Sequence, residues 1–289
     1  MDYTKPITEI IKQRFSCRAY LEKPIEEKTQ QRLAESLLAL RAGPFGAAVR
    51  LELAAATEQD RNSLKGLGTY GFIKGATGFI VGAVGPGEKN LEDYGYLMER
   101  AILHATDIGL GTCWLGGSFT KSNFAKKISA SREEAVPAVA ATGCMAEADS
   151  AQDVIRLRVG GDRRLAWENL FFDEKFGTPL SAQAAGDYAT PLEMLRLGPS
   201  ASNKQPWRIV QTEKAWHFYV QRTPGYRDGF LQRLLKVDDM QRVDMGIAMC
   251  HFELTAREQG LNGHWSVKEP ELEKLDALTE YSASWVSGG

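Results

Sequence analysis

Three side chains near the start of the sequence could together hold an anion. Arg14, Ser16 and Arg18 lie at positions i, i+2 and i+4 of the segment RFSCRAY, directly after a predicted short amphipathic helix. In an extended segment this spacing places all three side chains on one side of the backbone. Two guanidinium groups and a hydroxyl suit a phosphate or an electron-rich ring edge, and each charge-assisted hydrogen bond contributes about 1.5–3 kcal/mol. A solvated basic turn is the alternative for this motif taken alone.

A second polar cluster lies far along the chain, in the loop Pro199–Trp207 with the sequence PSASNKQPW. Its serines, asparagine and glutamine lie between two prolines and offer amide groups and backbone N–H groups. Such a loop can hydrogen-bond a heteroaromatic ring and its hydroxylated tail. The last two residues predict the start of a strand over Arg208–Gln211. As an isolated string, the loop could equally be a surface turn.

The elements that must position these motifs come from an internal repeat. Residues 34–44 match residues 189–199 at six of 11 positions, and residues 94–114 match residues 245–265 at seven of 21. Each copy predicts a helix that ends at Gly-Pro, a short strand, and a long amphipathic helix that ends at a glycine. The strands are predicted at Phe79–Val84 and Trp216–Val220, and the glycines are Gly109 and Gly260.

The repeat predicts two similar α+β halves, residues 1–172 and residues 173–289. The first copy has a further predicted strand, Ala138–Cys144, and the segment Asp173–Thr190 is the predicted join. Two similar halves in one chain correspond to a covalent homodimer, in which a central site would draw residues from both halves.

Composition limits the possible partners. Apolar residues make up 43 % and charged residues 25 %, and the net charge is −2, so no overall field attracts nucleic acid or an anionic membrane. No apolar stretch reaches the 18 or so residues of a membrane span, and the start lacks a secretory signal pattern, so a cytoplasmic protein is expected. Four cysteines match neither a CxxC pair nor zinc-ligand spacing, which predicts free thiols and no metal site.

The run Gly66–Gly71 fits GxGxxG, the fingerprint of dinucleotide-binding turns. The residues before it are polar rather than a buried strand, so the scaffold for such a turn is missing. A mobile loop carrying Tyr70, Phe72 and Lys74, which could border the site as a lid, is the interpretation we favour.

Together, the arginine–serine motif and the PSASNKQPW loop resemble the FMN-dependent nitroreductase family. In that family an N-terminal Arg-x-Ser-x-Arg/Lys and a Pro-Ser-x-x-Asn-x-Gln-Pro-Trp loop are the flavin-binding signatures. The Gly-Leu-Gly-x-x-Trp-x-Gly-Gly run over residues 109–117 is a third shared feature. The resemblance spans about residues 7–265 and is closest to the subgroup in which one chain carries two nitroreductase-like halves.

The resemblance implies an α+β fold with three α/β/α layers, two halves fused as an intramolecular pseudo-dimer, and a monomeric chain. It also implies bound FMN, with roles for individual residues. The contacts to the phosphate, to the ribityl chain and to the N1/O2 edge of the ring are expected from Arg14, Ser16 and Arg18. Isoalloxazine or ribityl contacts fall to Ser200, Asn203 and Gln205. The backbone donor to flavin N5 falls near Leu115, Gly116 and Gly117, and Arg164 is expected to contact the phosphate.

Each half has lost the motif that the other half keeps. An offset of 155 residues aligns the arginine motif with Asn169, Phe171 and Asp173, and aligns the PSASN loop with Pro44–Ala48. The sequence therefore predicts one complete flavin site and one inactive pseudo-site per chain.

The implied activity is FMN-dependent NAD(P)H oxidation, with hydride passing through flavin N5 to a small aromatic acceptor such as a nitro compound or a quinone. Donor and acceptor would use the same place in turn, and no catalytic side chain is required. A flavin-binding carrier or sensor without turnover is the alternative, and a relative that has lost FMN is a third possibility.

Overall fold

The computed structural model describes residues 3–60, 62–69, 71–117, 119–146, 163–213, 215–225 and 238–288. The chain forms two compact units, Met1–Asp162 and Arg163–Gly289. The division lies before the boundary expected after residue 172. The reason is that residues 163–173 bond to the second unit, through Leu165 and through a short strand at Phe171–Asp173.

The first unit begins with a short amphipathic helix, which further helices follow. Ile7, Ile10 and Ile11 recur at spacings of three and four and are all buried, so they form the apolar face of the first helix. The helices of this unit are α1 (Ile7–Gln13), α2 (Glu27–Ala39), α3 (Asn90–Asp107) and α4 (Lys121–Lys127). The chain leaves α3 through Gly109 in the left-handed conformation (φ +85°), which confirms the predicted end of this helix.

The sheet of the first unit is antiparallel and has the order β1-β2-β4-β3. Its strands are β1 (Val49–Ala55), β2 (Gly78–Val84), β3 (Gly111–Leu115) and β4 (Val139–Gly143). On one face, Tyr94 of α3 lies against Gly82, where an added Cβ would come within 2.7 Å of the tyrosine ring. On the other face, Phe124 of α4 packs edge-on against Phe79. The unit therefore has the three layers that the resemblance implies.

The second unit repeats this topology. Its sheet has the order β5-β6-β7-β9-β8, in which the last four strands are antiparallel and follow the order of the first unit. Its strands are β5 (Phe171–Asp173), β6 (Trp207–Thr212), β7 (Ala215–Gln221), β8 (Gly263–Ser266) and β9 (Thr279–Ser287). The prediction that only the first copy has a strand at Ala138–Cys144 was wrong, because β9 is the counterpart of β4.

Two helices cover one face of this second sheet. They are α5 (Ala189–Arg196) and α6 (Met240–Glu258). Nδ1 of His251 in α6 lies 2.9 Å from the carbonyl oxygen of Met194 in α5, which joins the two helices. Phe252 of α6 packs edge-on against Phe218 of β7. Gly260 follows α6 in the left-handed conformation (φ +75°), as its repeat partner does after α3.

One alignment drawn from the repeat fails in three dimensions. Ser16 of the arginine motif bridges Thr112 of β3, at one edge of the first sheet. Phe171 and Asp173 belong to β5, which pairs in parallel with β6 and so lies at the opposite edge of the second sheet. These residues are therefore not the structural counterparts of the arginine motif.

All four cysteines, Cys17, Cys113, Cys144 and Cys250, are free thiols, as predicted. Within the described ranges, no helix combines the length and the apolar character that crossing a membrane would need.

Candidate functional site

The arginine motif is an extended segment held against the edge of the first sheet. The N–H of Cys17 donates to the carbonyl of Thr112 in β3 at 2.8 Å. On the other side, the N–H of Lys74 donates to the carbonyl of Arg18 at 2.9 Å. Hydrogen bonds on both sides hold the segment straight, which is the condition under which the i, i+2, i+4 spacing aligns its side chains.

Arg14 is buried, with 5 % of its side chain exposed, and its charge is compensated inside the unit. Its Nε lies 3.7 Å from Oε1 of Glu99, a fully buried carboxylate on α3. The other oxygen of Glu99 accepts the indole N–H of Trp114 at 2.7 Å. One carboxylate therefore joins the arginine motif to β3.

Arg18 differs from Arg14 in its charge environment. Its Nη1 donates to the carbonyl of Ser16 at 3.3 Å, and among the described residues it forms no ion pair. The guanidinium is half-buried, so its charge is only partly hydrated. A half-buried cation without a counter-ion is suited to an anion supplied by a ligand.

The thiol of Cys113 lies close to the same motif. Burial raises the pKa of Cys113 to about 11, although the positive charges of Arg18 and Arg14 act in the opposite direction. A thiol with a pKa raised in this way is protonated at neutral pH, whereas the thiolate is the nucleophilic form.

At the end of β3, the groups that a ligand could contact belong to the backbone rather than to side chains. Leu115 is buried and lies opposite Val139 of β4. The chain then turns through Gly116 and Gly117, and an added Cβ on Gly117 would meet no atom within 4 Å. Gly117 is exposed and Gly116 is half-buried, so among the described residues the main chain at Gly117 is open to a ligand.

The glycine-rich stretch after β1 is tied to α4. The carbonyl of Gly66 accepts from Nδ2 of Asn123 at 2.7 Å, and the carbonyl of Gly68 accepts from the N–H of Thr120 at 3.0 Å. β1 ends at Ala55, well before Gly66, and the described chain after Gly71 leads into β2 rather than into a helix. The described residues therefore do not form the strand–turn–helix of a dinucleotide-binding site. Of the predicted lid residues, Phe72 and Lys74 are exposed, and Tyr70 lies outside the described residues.

In the second unit, the loop Pro199–Trp207 has an unusual backbone. Ser202, Asn203 and Gln205 all have positive φ, at 50°, 54° and 48°. Residues other than glycine seldom adopt this region, and such conformations cluster at ligand-binding sites. The hydroxyl of Ser200 accepts the N–H of Gln205 at 2.9 Å and closes the loop.

The amide of Gln205 is directed inward. Its side chain is 3 % exposed, its Oε1 accepts the N–H of Leu165 at 2.8 Å, and its Nε2 donates to the carbonyl of Asn203 at 3.2 Å. Nδ2 of Asn203 donates to the carbonyl of Arg163 at 3.0 Å. Both amides therefore hold the segment around residues 163–165 as well as the loop.

Arg164 lies on this segment. Its Nη2 donates to the carbonyl of Leu197, just after α5, at 2.9 Å, and its Nη1 donates to the carbonyl of Arg163. The structure thus brings Arg164, Ser200, Asn203 and Gln205 together in the second unit. It brings the arginine motif and the Leu115–Gly117 turn together in the first.

Two buried carboxylates next to these motifs were not predicted. They are Glu99, described above, and Asp244 of α6, whose Oδ1 accepts the N–H of Ala201 at 2.9 Å. A sequence signal existed for the second of these, because the 151-residue offset aligns Asp244 with Asp93, one position before the matched window.

The comparisons with known proteins agree with this architecture. The sequence model of the "Putative TM nitroreductase" family matches residues 6–256. A "putative nitroreductase" from Thermotoga maritima has a TM-score of 0.61 at 19 % identity, covering 99 % of this chain and 95 % of its own. No curated protein matches the sequence.

Two further solved structures resemble smaller parts of the chain. A nitroreductase family protein from Clostridium difficile has a TM-score of 0.43 at 17 % identity, with 62 % of this chain and 99 % of its own covered. A nitroreductase with bound FMN from Bacteroides fragilis has a TM-score of 0.38 at 18 % identity, with 50 % and 91 % covered. The family match over residues 6–256 and the shared fold establish that this chain belongs to the "Putative TM nitroreductase" family, as the motifs indicated.

Proposed function

We propose that this protein is an FMN-dependent oxidoreductase that takes electrons from NAD(P)H and passes them to a small aromatic acceptor, such as a nitro compound or a quinone. The observation that carries the proposal is Arg18. It is a half-buried guanidinium without an ion pair among the described residues, beside Ser16 and on a segment bonded to β3. A nitroreductase family member with an unused cation at this place is suited to an anionic cofactor.

The donor groups on the first unit fit the chemistry of FMN. A phosphate or the electron-rich N1/O2 edge of the ring needs hydrogen-bond donors, which the guanidinium of Arg18 and the hydroxyl of Ser16 would supply. Arg14 would add to the positive field from its buried position beside Glu99. The ring also needs a backbone N–H group that it can approach closely, which the exposed main chain at Gly117 would supply. When bound, FMN would supply the redox chemistry by accepting a hydride and passing it on.

The residues of the chain would then bind and orient. Arg18 would stabilise negative charge that develops on the reduced ring, which is an electrostatic contribution prepared before the reaction. The main chain from Leu115 to Gly117 would donate a hydrogen bond near ring N5. No side chain is assigned to proton abstraction or nucleophilic attack.

The second unit would supply the remaining contacts, through Ser200 and Asn203. All four predicted residues of this unit are bonded to its backbone, namely Arg164, Ser200, Asn203 and Gln205. Gln205 is the most deeply buried of them, so we assign it to holding the loop rather than to contacting the ligand. One FMN per chain is the corresponding proposal, supported by the presence of the arginine motif in the first half only and of the PSASNKQPW loop in the second half only. A single chain would then be sufficient for activity.

The test is anaerobic reduction followed by turnover. FMN-loaded protein is mixed with NADPH or NADH, the absorbance near 450 nm is followed, and a quinone is then added. Rapid bleaching followed by recovery on adding the quinone is expected. Free FMN at the same concentration is the control for uncatalysed reduction. Bleaching no faster than that control with both nicotinamides would overturn the reductase proposal and favour a flavin carrier or sensor.

A further inference from the structure

The conformation of the PSASN loop requires an anchor. Ser202 and Asn203 follow Ala201 directly, and both are left-handed although neither is glycine. Backbone conformations of this kind persist only where the surrounding contacts determine them. The contact at the start of the left-handed stretch is one that helps the loop keep its shape, beside the hydrogen bond from the N–H of Gln205 to Ser200.

That contact comes from Asp244 on α6. Its Oδ1 accepts the N–H of Ala201 at 2.9 Å, and the side chain is 1 % exposed. Its Oδ2 is buried and has no hydrogen-bond partner among the described residues. Burial raises the pKa of Asp244 well above its usual range, more than the hydrogen bond from Ala201 lowers it, and the nearby charge of Asp239 adds to the increase.

The first unit contains a similar arrangement around a loop without binding groups, with two hydrogen bonds to the loop instead of one. Asp93 of α3, the repeat counterpart of Asp244, accepts the N–H of Phe45 at 2.9 Å and the N–H of Ala47 at 2.7 Å. The loop that it holds, Pro44–Ala48, is the sequence counterpart of the PSASN loop and carries no amide or hydroxyl side chain. The chain thus offers an internal control, in which the contact is present and the proposed ligand groups are not.

We propose that Asp244 is a positioning residue of the flavin site, which holds the loop Pro199–Trp207 so that Ser200 and Asn203 face the ring and ribityl chain of FMN. The inference rests on the proposed function, because it needs a flavin to be bound. It adds a residue that contacts no ligand and acts through the N–H of Ala201.

The experiment compares Asp244→Ala, Asp244→Asn and Asp93→Ala by the Kd for FMN and for riboflavin, each measured by fluorescence quenching of the added flavin. Loss of one hydrogen bond that orders the loop is expected to raise both Kd values about tenfold in Asp244→Ala. Both flavins are affected equally because the loop is assigned to the ring and ribityl chain, which they share. Asp244→Asn retains a neutral acceptor of the same shape and is expected to bind as the wild type does.

Asp93→Ala is the matched control for general loosening. It removes the equivalent contact and is expected to lower the urea midpoint while leaving both flavin affinities unchanged. Ala201→Pro tests the same hydrogen bond from the donor side, without opening a cavity under the loop. Ser200 has φ −147° and ψ 158°, which a following proline accepts. This variant is also expected to raise both Kd values.

The outcomes separate the two proposals. Wild-type Kd values in Asp244→Ala or in Ala201→Pro would overturn the role of Asp244 and leave the proposed function standing. An equal loss of flavin affinity in Asp93→Ala would also overturn the role of Asp244, because the loss of affinity would then reflect overall stability. Failure of the wild type to bind FMN would overturn the proposed function and this inference with it.

Discussion

Trp114 donates its indole N–H to the buried carboxylate of Glu99 at 2.7 Å, and this hydrogen bond connects α3 to β3, the strand that leads into the candidate site. The same carboxylate lies 3.7 Å from Nε of Arg14. The second unit contains a similar group, in which Glu253 accepts the indole N–H of Trp265 at 2.7 Å and pairs with Arg257. The two groups differ in burial, since Arg257 is half exposed and Arg14 is not.

The first prediction uses this difference. Glu99→Gln retains an acceptor for the indole but removes the negative charge beside buried Arg14, so we expect a loss of about 3 kcal/mol in the free energy of unfolding. Glu253→Gln, the matched control, should cost about 1 kcal/mol or less, because water screens Arg257. Chemical denaturation of both variants measures the difference, and equal losses would contradict it.

The second prediction concerns Arg18. If its guanidinium stabilises the reduced ring, Arg18→Ala should lose about 1.5–3 kcal/mol of that stabilisation. For a two-electron couple this corresponds to a midpoint potential lower by roughly 30–60 mV. The potential is measured against a reference dye, with Arg41→Ala as a control for removing an exposed arginine. An unchanged potential in Arg18→Ala would show that this charge does not act on the ring.

The third prediction is a pH dependence of stability in the first unit. Arg50 donates to both oxygens of Glu134, at 2.7 and 3.1 Å, and lowers the pKa of Glu134 from 4.5 to about 2. Because the folded pKa is depressed, the pair stabilises the fold fully above about pH 4.5 and loses this effect as the pH falls toward 2.

Glu134→Gln should therefore lose about 1 kcal/mol at pH 7 and show a shallower decline of stability between pH 4.5 and pH 2. Unfolding by urea at a series of pH values measures this decline. Its exposed neighbour, Glu133, forms no ion pair within the described ranges, so Glu133→Gln should follow the wild-type curve. A Glu134→Gln curve parallel to that of the wild type would contradict the assignment.

The fourth prediction tests whether Gln205 holds the segment before β5. Gln205→Glu replaces a donor that faces the carbonyls of Arg163 and Asn203 with a second carboxylate oxygen. The resulting repulsion should cost about 2 kcal/mol and expose the segment. Trypsin should then cut after Arg163 and Arg164 faster than in the wild type. Gln183→Glu, at an exposed position of the same unit, is the control and should be cut at the wild-type rate. Cleavage of Gln205→Glu at the wild-type rate would contradict the prediction and show that other contacts hold the segment.

Local patterns in the sequence predicted much of the fold. The long helices α3 and α6 and their ends at Gly109 and Gly260 follow from periodicity and from glycine's tolerance of the left-handed conformation, which are properties of a short segment. The repeat predicted two halves of one topology. It did not predict where Phe171–Asp173 would pair, because strand pairing joins distant residues and a constant offset carries no information about sheet edges.

The site was predictable as a set of motifs but not as a set of contacts. Nothing in the sequence distinguishes buried Glu99 from an exposed acid on the same helix, and the only signal for Asp244 is the repeat offset that aligns it with Asp93. The inward direction of the Gln205 amide follows from its left-handed backbone and from the nearby N–H of Leu165. These two features exist only in the assembled loop. Sequence reasoning has no access to them, and it therefore assigned the Gln205 amide to the ligand.

The most direct test of the account is the amount of flavin bound by the purified chain. The protein is saturated with FMN, freed of excess ligand and heated, and the released flavin is measured by absorbance against the protein concentration. We expect about one FMN per chain, since the arginine motif is present in the first half only and the PSASNKQPW loop in the second half only. No flavin after incubation with excess FMN would contradict the proposed function, and two per chain would contradict the single site.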